Sequence, residues 1–195
     1  MNAALQRNLF LVKEQIGLLK AANHYDIYDP ETNQLVLNCR EDKLGLITKL
    51  LRFSDYKRMT PFHIELSTPL GEKVLTVKRG ISIFRSRVEV LGAQDQLLGS
   101  FQQHFFSIGG QFDILDANNN LVANLKGKWT GWDFTISHQN ITLAQVSKEW
   151  AGMGKELFTS ADNYAIKIEE NVASNDPIRQ LILAAVMSID MVLKE

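Results

Sequence analysis

The chain has very few cysteines and prolines. One cysteine, Cys39, and four prolines occur among its 195 residues. A single cysteine excludes an internal disulfide, and Cys39 has no neighbours at metal-ligand spacing, which favours a reducing compartment. The formal net charge is −1, so the overall charge of the protein does not favour binding to nucleic acid or to an anionic membrane. These features predict one cytoplasmic domain over residues 1–195, long enough to bury a substantial core.

A long hydrophobic run is also missing. The most apolar stretch, 181–193, is interrupted by Ser188 and Asp190. It has roughly thirteen residues, whereas a membrane-spanning helix needs about 20, and a carboxylate at membrane depth is costly. Near the N-terminus, Arg7 and Lys13 interrupt the apolar residues, so the continuous apolar segment of a secretory signal peptide is not formed. The stretch 181–193 is therefore either a short membrane segment or, in our preferred interpretation, a helix inside the fold.

Alternating apolar and polar residues dominate the rest of the chain. Five units share this alternation around a turn-rich centre: YDIYDPETNQLVLNC, FHIELSTPLGEKVLTVK, VEVLGAQDQLLGSFQ, FDILDANNNLVANLK and DFTISHQNITLAQVS. Each pattern is typical of an antiparallel hairpin. With strands at Asn8–Lys13 and Asn163–Ile168 added, about twelve strands are predicted. The fold class is mainly β, and closure of the hairpins into one antiparallel barrel is the simplest arrangement.

Two segments have helical rather than strand periodicity. Leu44, Ile47, Leu50 and Leu51 recur at helical spacing, which predicts a short surface helix near 42–54 with a basic outer face. In the second segment, Asp176 and Pro177 form a helix start signal, because an aspartate caps the N-terminus and proline fits the first helical position.

The C-terminal helix, predicted over Pro177–Lys194, is apolar all round and must be surrounded by apolar groups. A barrel of about twelve strands has a lumen that needs a plug, and a helix about 10 Å across fits it. We therefore predict that the barrel encloses this helix, with a charged residue near each mouth. The side chains expected in the core are Leu181, Ile182, Ala185, Val186, Ile189 and Val192.

The C-terminal residues resemble a known family. The stretch QVSKEWAGMGKELFTSADNYAIKI, followed by an apolar helix ending IDMVLKE, is similar to the C-terminal part of the phospholipid scramblases. The related fold group includes the tubby C-terminal domain and the plant LURP-one-related proteins. The resemblance implies a closed barrel of twelve strands around a central hydrophobic helix. Upstream, the similarity is confined to the rhythm of the hairpins.

The resemblance also implies two features that this sequence departs from. The calcium segment of scramblases would begin at Ser160, and its ligand places would fall on Ser160, Asp162, Tyr164 and Asn171. A calcium loop needs several carboxylates and a central glycine, whereas here one carboxylate is present and Ala165 stands at the centre, so we expect no calcium or other cofactor. The lipid-modified cysteine run of the family would fall near IFRSRVEV, which contains no cysteine.

Catalytic groups do not cluster in the sequence. The four histidines lie on four different hairpins, without partners at metal-ligand spacing. A nucleophile elbow, a phosphate-binding glycine loop and a zinc-protease motif are all missing. We expect no catalytic, cofactor-binding or metal-binding residues and no enzymatic activity.

Basic residues gather in two stretches between positions 43 and 87. The candidate site for an anionic ligand consists of Lys49, Arg52, Lys57, Arg58, Arg85 and Arg87. Phe53 and Tyr56 lie among them, as on helices that rest on anionic lipid head groups, and the resemblance to tubby domains implies phosphoinositide recognition by basic side chains. For the first stretch taken alone, we prefer the interpretation of a solvated basic helix face that packs on the barrel through its leucines. Trp129 and Trp132 of KWTGWDF fit a membrane interface, but we prefer that they cap the barrel.

The predicted function is a non-enzymatic cytoplasmic barrel that binds anionic phospholipid or a similar ligand at a membrane surface, as a peripheral protein. An alternative is a module that binds a protein or nucleic acid, although no strong nucleic-acid signal is present. A weaker alternative is an authentic phospholipid scramblase. The ligand, the pathway and the oligomeric state do not follow from the sequence.

Overall fold

The fold is seen in a computed structural model. It describes residues 2–15, 24–41, 60–80, 87–103, 111–128, 131–148 and 163–193, with side chains of the final helix described as far as Ile189. The surface helix predicted near 42–54 and the side chain of Val192 lie outside the described residues.

Twelve strands form a closed antiparallel barrel, which confirms the predicted fold class. A short 3₁₀ helix, Ala3–Gln6, comes before them. The strands are β1 Leu9–Glu14, β2 His24–Tyr28, β3 Leu35–Glu41, β4 Phe62–Ser67, β5 Lys73–Arg79, β6 Arg87–Gly92, β7 Leu97–Gln103, β8 Gln111–Asp116, β9 Leu121–Lys128, β10 Asp133–His138, β11 Ile141–Ser147 and β12 Asn163–Ile168. Each pairs with its neighbours in sequence, and β1 closes the barrel against β12, with Leu9 opposite Lys167 and Lys13 opposite Asn163.

The short hairpin turns all lie at one end of the barrel, which we call the turn end. Thr68, Gly92 and Asp116 are spaced 24 residues apart (68, 92, 116), and each donates its N–H to the carbonyl of the residue four further on. Each of the five turns contains residues with positive φ, such as Asn33 and Asn119, and each is flanked by a β-bulge. Bulges increase the right-handed twist of a hairpin, so the repeated turn chemistry provides the curvature that closes the sheet.

The opposite end, which we call the loop end, has the longer connections. Glu41 and Phe62 at the adjoining ends of β3 and β4, and Arg79 and Arg87 at those of β5 and β6, lie at this end. These four strands are consecutive neighbours in the barrel. The loop end therefore brings together the boundaries of both basic stretches that the sequence singles out.

Helix α1, Ile178–Leu193, runs inside the barrel. The Asp176 side chain accepts a hydrogen bond from the N–H of Ile178 at 2.9 Å, which confirms the predicted cap. Leu181, Ile182, Ala185, Val186 and Ile189 are all buried. The helix lies nearest to β5, β6 and β7.

Gly99 permits this approach of β7 to the helix. A Cβ atom at this position would clash with the carbonyl of Leu115 and would meet the side chain of Leu181 at 3.0 Å. Among the described residues, no helix has both the length and the hydropathy needed to cross a bilayer.

Candidate functional site

The predicted basic site lies only partly within the described residues. Lys49, Arg52, Lys57, Arg58 and Arg85 fall outside them. Arg87 is exposed at the start of β6, and its Nη2 donates a hydrogen bond to Asn119 Oδ1 at 2.6 Å. Asn119 lies in the β8–β9 turn, so this contact draws the exposed guanidinium towards the turn end although the backbone of Arg87 starts β6 at the loop end.

Three other cations of the second basic stretch are buried or form ion pairs within the protein. Arg79 is buried, and its Nη2 donates to the carbonyl oxygen of Thr60 at 2.7 Å. Lys73 forms an ion pair with Asp95, and Lys78 forms one with Glu89 at 3.3 Å. A basic run in the sequence thus contributes far fewer free charges to the surface than its composition indicates. The alternation Leu75, Val77, Arg79 could have shown that Arg79 points inward.

An aromatic stack fills the barrel near the loop end. The ring of Trp132 lies parallel to that of Tyr164, with centroids 4.5 Å apart, and Phe134 meets Trp132 edge-on at 6.2 Å. Lys148 Nζ lies 5.2 Å from the Trp132 ring, a cation–π contact. Trp132 is buried, as expected for a cap of the barrel; Trp129 lies outside the described residues.

Two residues of this stack are in unfavourable states. Trp132 has φ +50°, a left-handed conformation that is costly for a bulky side chain. The hydroxyl of Tyr164 is buried without a hydrogen-bond partner among the described residues. Burial raises the pKa of Tyr164 well above its ordinary value, and Cys39 and Glu14 add to the shift. The phenol therefore stays neutral in an apolar environment.

Of the four residues that match ligand places of the calcium segment, Tyr164 and Asn171 are described, and these two lie in different environments. Ser160 and Asp162 lie outside the described residues, Tyr164 is in strand β12 inside the barrel, and Asn171 donates its Nδ2 hydrogen to the carbonyl oxygen of Thr142 at 3.0 Å. Within the described part of the chain, no group of three or more histidine, cysteine and acidic residues could hold a metal ion. Absence of calcium stays a prediction.

The titratable groups considered for catalysis are dispersed. His24, His63 and His138 belong to β2, β4 and β10, and His104 lies outside the described residues. Cys39 is buried in β3, and burial raises the pKa of its thiol far above the ordinary value. The thiolate, which is the nucleophile of cysteine chemistry, is therefore disfavoured at this position.

A buried arginine at the turn end connects the helix to the N-terminal segment. Arg179, in the first turn of α1, is completely buried. Its guanidinium donates to the carbonyl oxygens of Leu5 at 2.9 Å, Val172 at 3.1 Å, Gln6 at 3.2 Å and Arg7 at 2.8 Å. Burial lowers the pKa of Arg179, and Asp176 opposes the shift.

The sequence predicts a charged residue near this mouth of the barrel, but not its partners. They lie more than 170 positions away in the chain, except for Val172. The carbonyl groups satisfy the cation without a carboxylate in direct contact, so Arg179 acts as a clasp between α1 and the 3₁₀ helix.

Comparison with known proteins finds a matching family model and relatives over most of the chain. The family model described as Scramblase matches residues 6–195. Among curated proteins, a phospholipid scramblase family protein from Schizosaccharomyces pombe is 22% identical, with 93% of this chain and 52% of that protein covered. Phospholipid scramblase 2 from Homo sapiens is 23% identical, with 86% and 61% covered. The altered inheritance rate of mitochondria protein 25 from Saccharomyces cerevisiae is 20% identical, with 94% and 62% covered.

The chain thus spans about half to three-fifths of the length of these relatives. Among solved structures, a protein from Arabidopsis thaliana matches with a TM-score of 0.53 and 14% identity, covering 95% of this chain and 90% of the other. At this level of identity the match shows a shared fold.

Proposed function

This chain belongs to the scramblase family, and from that premise we propose that it is a non-enzymatic, peripheral phospholipid-binding barrel that engages anionic head groups at its loop end. The observation that carries the proposal is the position of α1. Residues Leu181–Ile189 are buried inside the barrel. Their apolar surface is already used by the core, so contact with a bilayer falls to the outer surface of the protein.

Charge favours the loop end for that contact. The strand ends at Glu41, Phe62, Arg79 and Arg87 bound the two basic stretches at this end of the barrel. Juxtaposed basic residues attract anionic lipids by about 1 kcal/mol each near a membrane surface. Among the described strand ends of the loop end the carboxylates are Glu14, Glu41 and Asp133. The turn end carries a larger set: Asp29, Glu31, Glu72, Asp95, Asp116, Glu169, Glu170 and Asp176. The proposed orientation keeps these carboxylates away from the lipid phosphates.

Liposome flotation tests the proposal. We expect the protein to float with phosphatidylcholine vesicles that contain phosphoinositide or phosphatidylserine, to bind phosphatidylcholine alone much more weakly, and to be released at high salt because the attraction is screened. Binding should be unchanged when calcium is chelated, as no calcium site is proposed. Loss of binding on chelation would refute the calcium-independent mode.

Matched variants locate the contact. Alanine replacement of Lys49, Arg52, Lys57 and Arg58 together should remove most of the binding, whereas Arg87→Ala should have a much smaller effect because the Arg87 guanidinium is held by Asn119 of the β8–β9 turn. Lys167→Ala, in β12 near the turn end, removes the same charge away from the proposed contact and serves as the control. A loss of binding in Lys167→Ala comparable with that of the quadruple replacement would contradict the assigned orientation.

Two relatives carry names that include phospholipid scramblase, which favours lipid translocation as a second candidate function. Fluorescent-lipid vesicles with dithionite quenching distinguish the two. The proposed peripheral role predicts binding without quenching of inner-leaflet lipid. Quenching of that lipid would establish the second candidate, whereas absence of any lipid binding would favour a protein-interaction module.

A further inference from the structure

A cavity opens at the turn end, away from the proposed lipid contact. It has a volume of about 530 Å³ and lies between the N-terminal segment, the β6–β7 turn and the first turn of α1. Leu5 and Val74, both buried, contribute apolar surface to it. The volume is within the range of small-molecule sites, which typically combine an apolar lining with a few placed polar groups.

Carboxamides provide most of the polar lining. Two of them have their oxygen already occupied: Asn2 Oδ1 accepts the N–H of Ala4 at 2.9 Å, and Gln96 Oε1 accepts the N–H of Gln94 at 3.0 Å. The Gln96 side chain also folds back across Gly92, where a Cβ atom would overlap it. The NH₂ groups of Asn2 and Gln96 have no acceptor among the described residues and remain available as hydrogen-bond donors.

Three further carboxamides, those of Gln94, Asn175 and Gln180, also line the cavity. Within the described part of the chain, no hydrogen bond occupies their side chains. Because each carboxamide has both a donor and an acceptor, these groups can adapt to hydroxyl groups, which also donate and accept.

The charges in and around the lining indicate which class of ligand the cavity can bind. Lys73 is the cation in the lining, and it is paired with Asp95. The Asp176 carboxylate already caps the first turn of α1, so the helix start does not attract an anion. No carboxylate belongs to the described lining, which disfavours a cation. An apolar ligand would cover these carboxamides without replacing the hydrogen bonds that they make to water.

We infer that this cavity binds a small, uncharged, polyhydroxylated compound of the sugar or cyclitol class. The inference goes beyond lipid binding and does not rest on it, since the cavity is formed by turn-end residues. Hydroxyl oxygens would accept from the NH₂ groups of Asn2 and Gln96, while the carbon skeleton would lie on Leu5 and Val74.

Heteronuclear NMR of the full chain tests the inference with myo-inositol, glucose and inorganic phosphate as probes. We expect myo-inositol or glucose to give saturable amide shifts confined to the segments 2–5, 73–74, 93–96 and 175–180. Gln180→Leu and Gln96→Leu should each weaken the binding about tenfold, equivalent to about 1.4 kcal/mol. Gln34→Leu, in the exposed β2–β3 turn, is the matched control and should leave the affinity unchanged.

Ala93→Trp provides a second test that preserves every carboxamide. Ala93 is an exposed turn residue in the lining, and an indole there should fill the cavity and abolish the shifts. Absence of shifts with both polyols in the folded wild-type protein would overturn the inference. Shifts that survive Ala93→Trp, or stronger shifts with phosphate than with the polyols, would overturn it as well. Since liposome flotation does not involve this cavity, the two proposals can fail independently.

Discussion

Single residues with unusual surroundings define the two mouths of the barrel. Arg179 closes the turn end by donating to backbone carbonyls of the N-terminal segment, and the stack of Trp132 on Tyr164 fills the interior towards the loop end. A buried guanidinium is tolerated when its N–H groups are satisfied. A buried hydroxyl without a partner reduces stability.

Replacement of Arg179 by Met tests the clasp. The change leaves buried carbonyl groups without donors, and we expect the free energy of unfolding to fall by about 3 kcal/mol or more. Chemical denaturation measures the loss. Arg7→Met is the control because Arg7 forms a partly exposed ion pair with Asp29 at 3.0 Å, worth about 1 kcal/mol at most. If both variants lost the same stability, the clasp would have no special role.

The buried Cys39 and Tyr164 predict a stability that declines in alkali. Burial raises the pKa of both groups above the ordinary values of 9.0 for the thiol and 10.0 for the phenol. The native state therefore retains protons that the unfolded chain releases, so their contribution is complete below about pH 9 and is lost as the pH rises through the folded values. Urea denaturation between about pH 7 and pH 11 should show this decline, and the double variant Cys39→Ala, Tyr164→Phe should reduce its slope. A slope identical to that of the wild-type protein would be inconsistent with this origin.

At the scale of elements, α1 and the hairpins depend on each other. The helix has no polar face over Leu181–Ile189, and twelve strands enclose a lumen that side chains of the strands alone do not fill. Short turns with residues in the left-handed region and adjacent bulges bend the strands around the helix. Neither part is expected to be stable without the other.

Replacement of Ala185 by Arg tests this dependence. The substitution places an unpaired charge in the core, and we expect the loss of cooperative unfolding or a destabilisation of at least about 3 kcal/mol. Circular dichroism during thermal denaturation measures it. Ala173→Arg, at an exposed position in the turn before α1, is the matched control and should behave as wild type. Retained cooperativity in Ala185→Arg would show that the helix is not part of the core.

Several elements could be predicted closely from local patterns. Strand β12 has the predicted bounds Asn163–Ile168, β1 is displaced by one residue from the predicted Asn8–Lys13, and α1 lies within the predicted Pro177–Lys194. Alternation and a capping aspartate are local patterns, so they can be recognised in the sequence without any tertiary information. The predicted family resemblance is confirmed by the match over residues 6–195.

The whole molecule has two chemically different ends. Consecutive antiparallel strands place the hairpin turns at one end and the longer connections at the other. Acidic turns, the Arg179 clasp and the carboxamide cavity lie at the turn end, while the boundaries of the basic stretches lie at the loop end. This division is the basis of the proposed orientation at a membrane, in which the quadruple replacement of Lys49, Arg52, Lys57 and Arg58 and the single Lys167→Ala are predicted to differ.

The candidate sites show where prediction from the sequence stops. Arg79 belongs to a basic stretch but points into the barrel, and Lys73 of the same stretch is paired with Asp95 of another hairpin. The five carboxamides of the cavity come from three segments that are far apart in the chain. A one-dimensional pattern contains no information on such pairings, because they depend on which strand ends become neighbours.

The amino-acid sequence by itself determined the strands, the start and the all-round apolar character of the C-terminal helix, and the family resemblance, since periodicity, capping and motif order are properties of contiguous residues. Only the tertiary structure decided which charges are free, what satisfies Arg179 and where a cavity remains. These depend on barrel closure, which brings β1 against β12 and the residues before β1 against the start of α1. The pairing of the charged residues and the shape of the cavity depend on segments that are distant in the sequence and meet only when the barrel is closed.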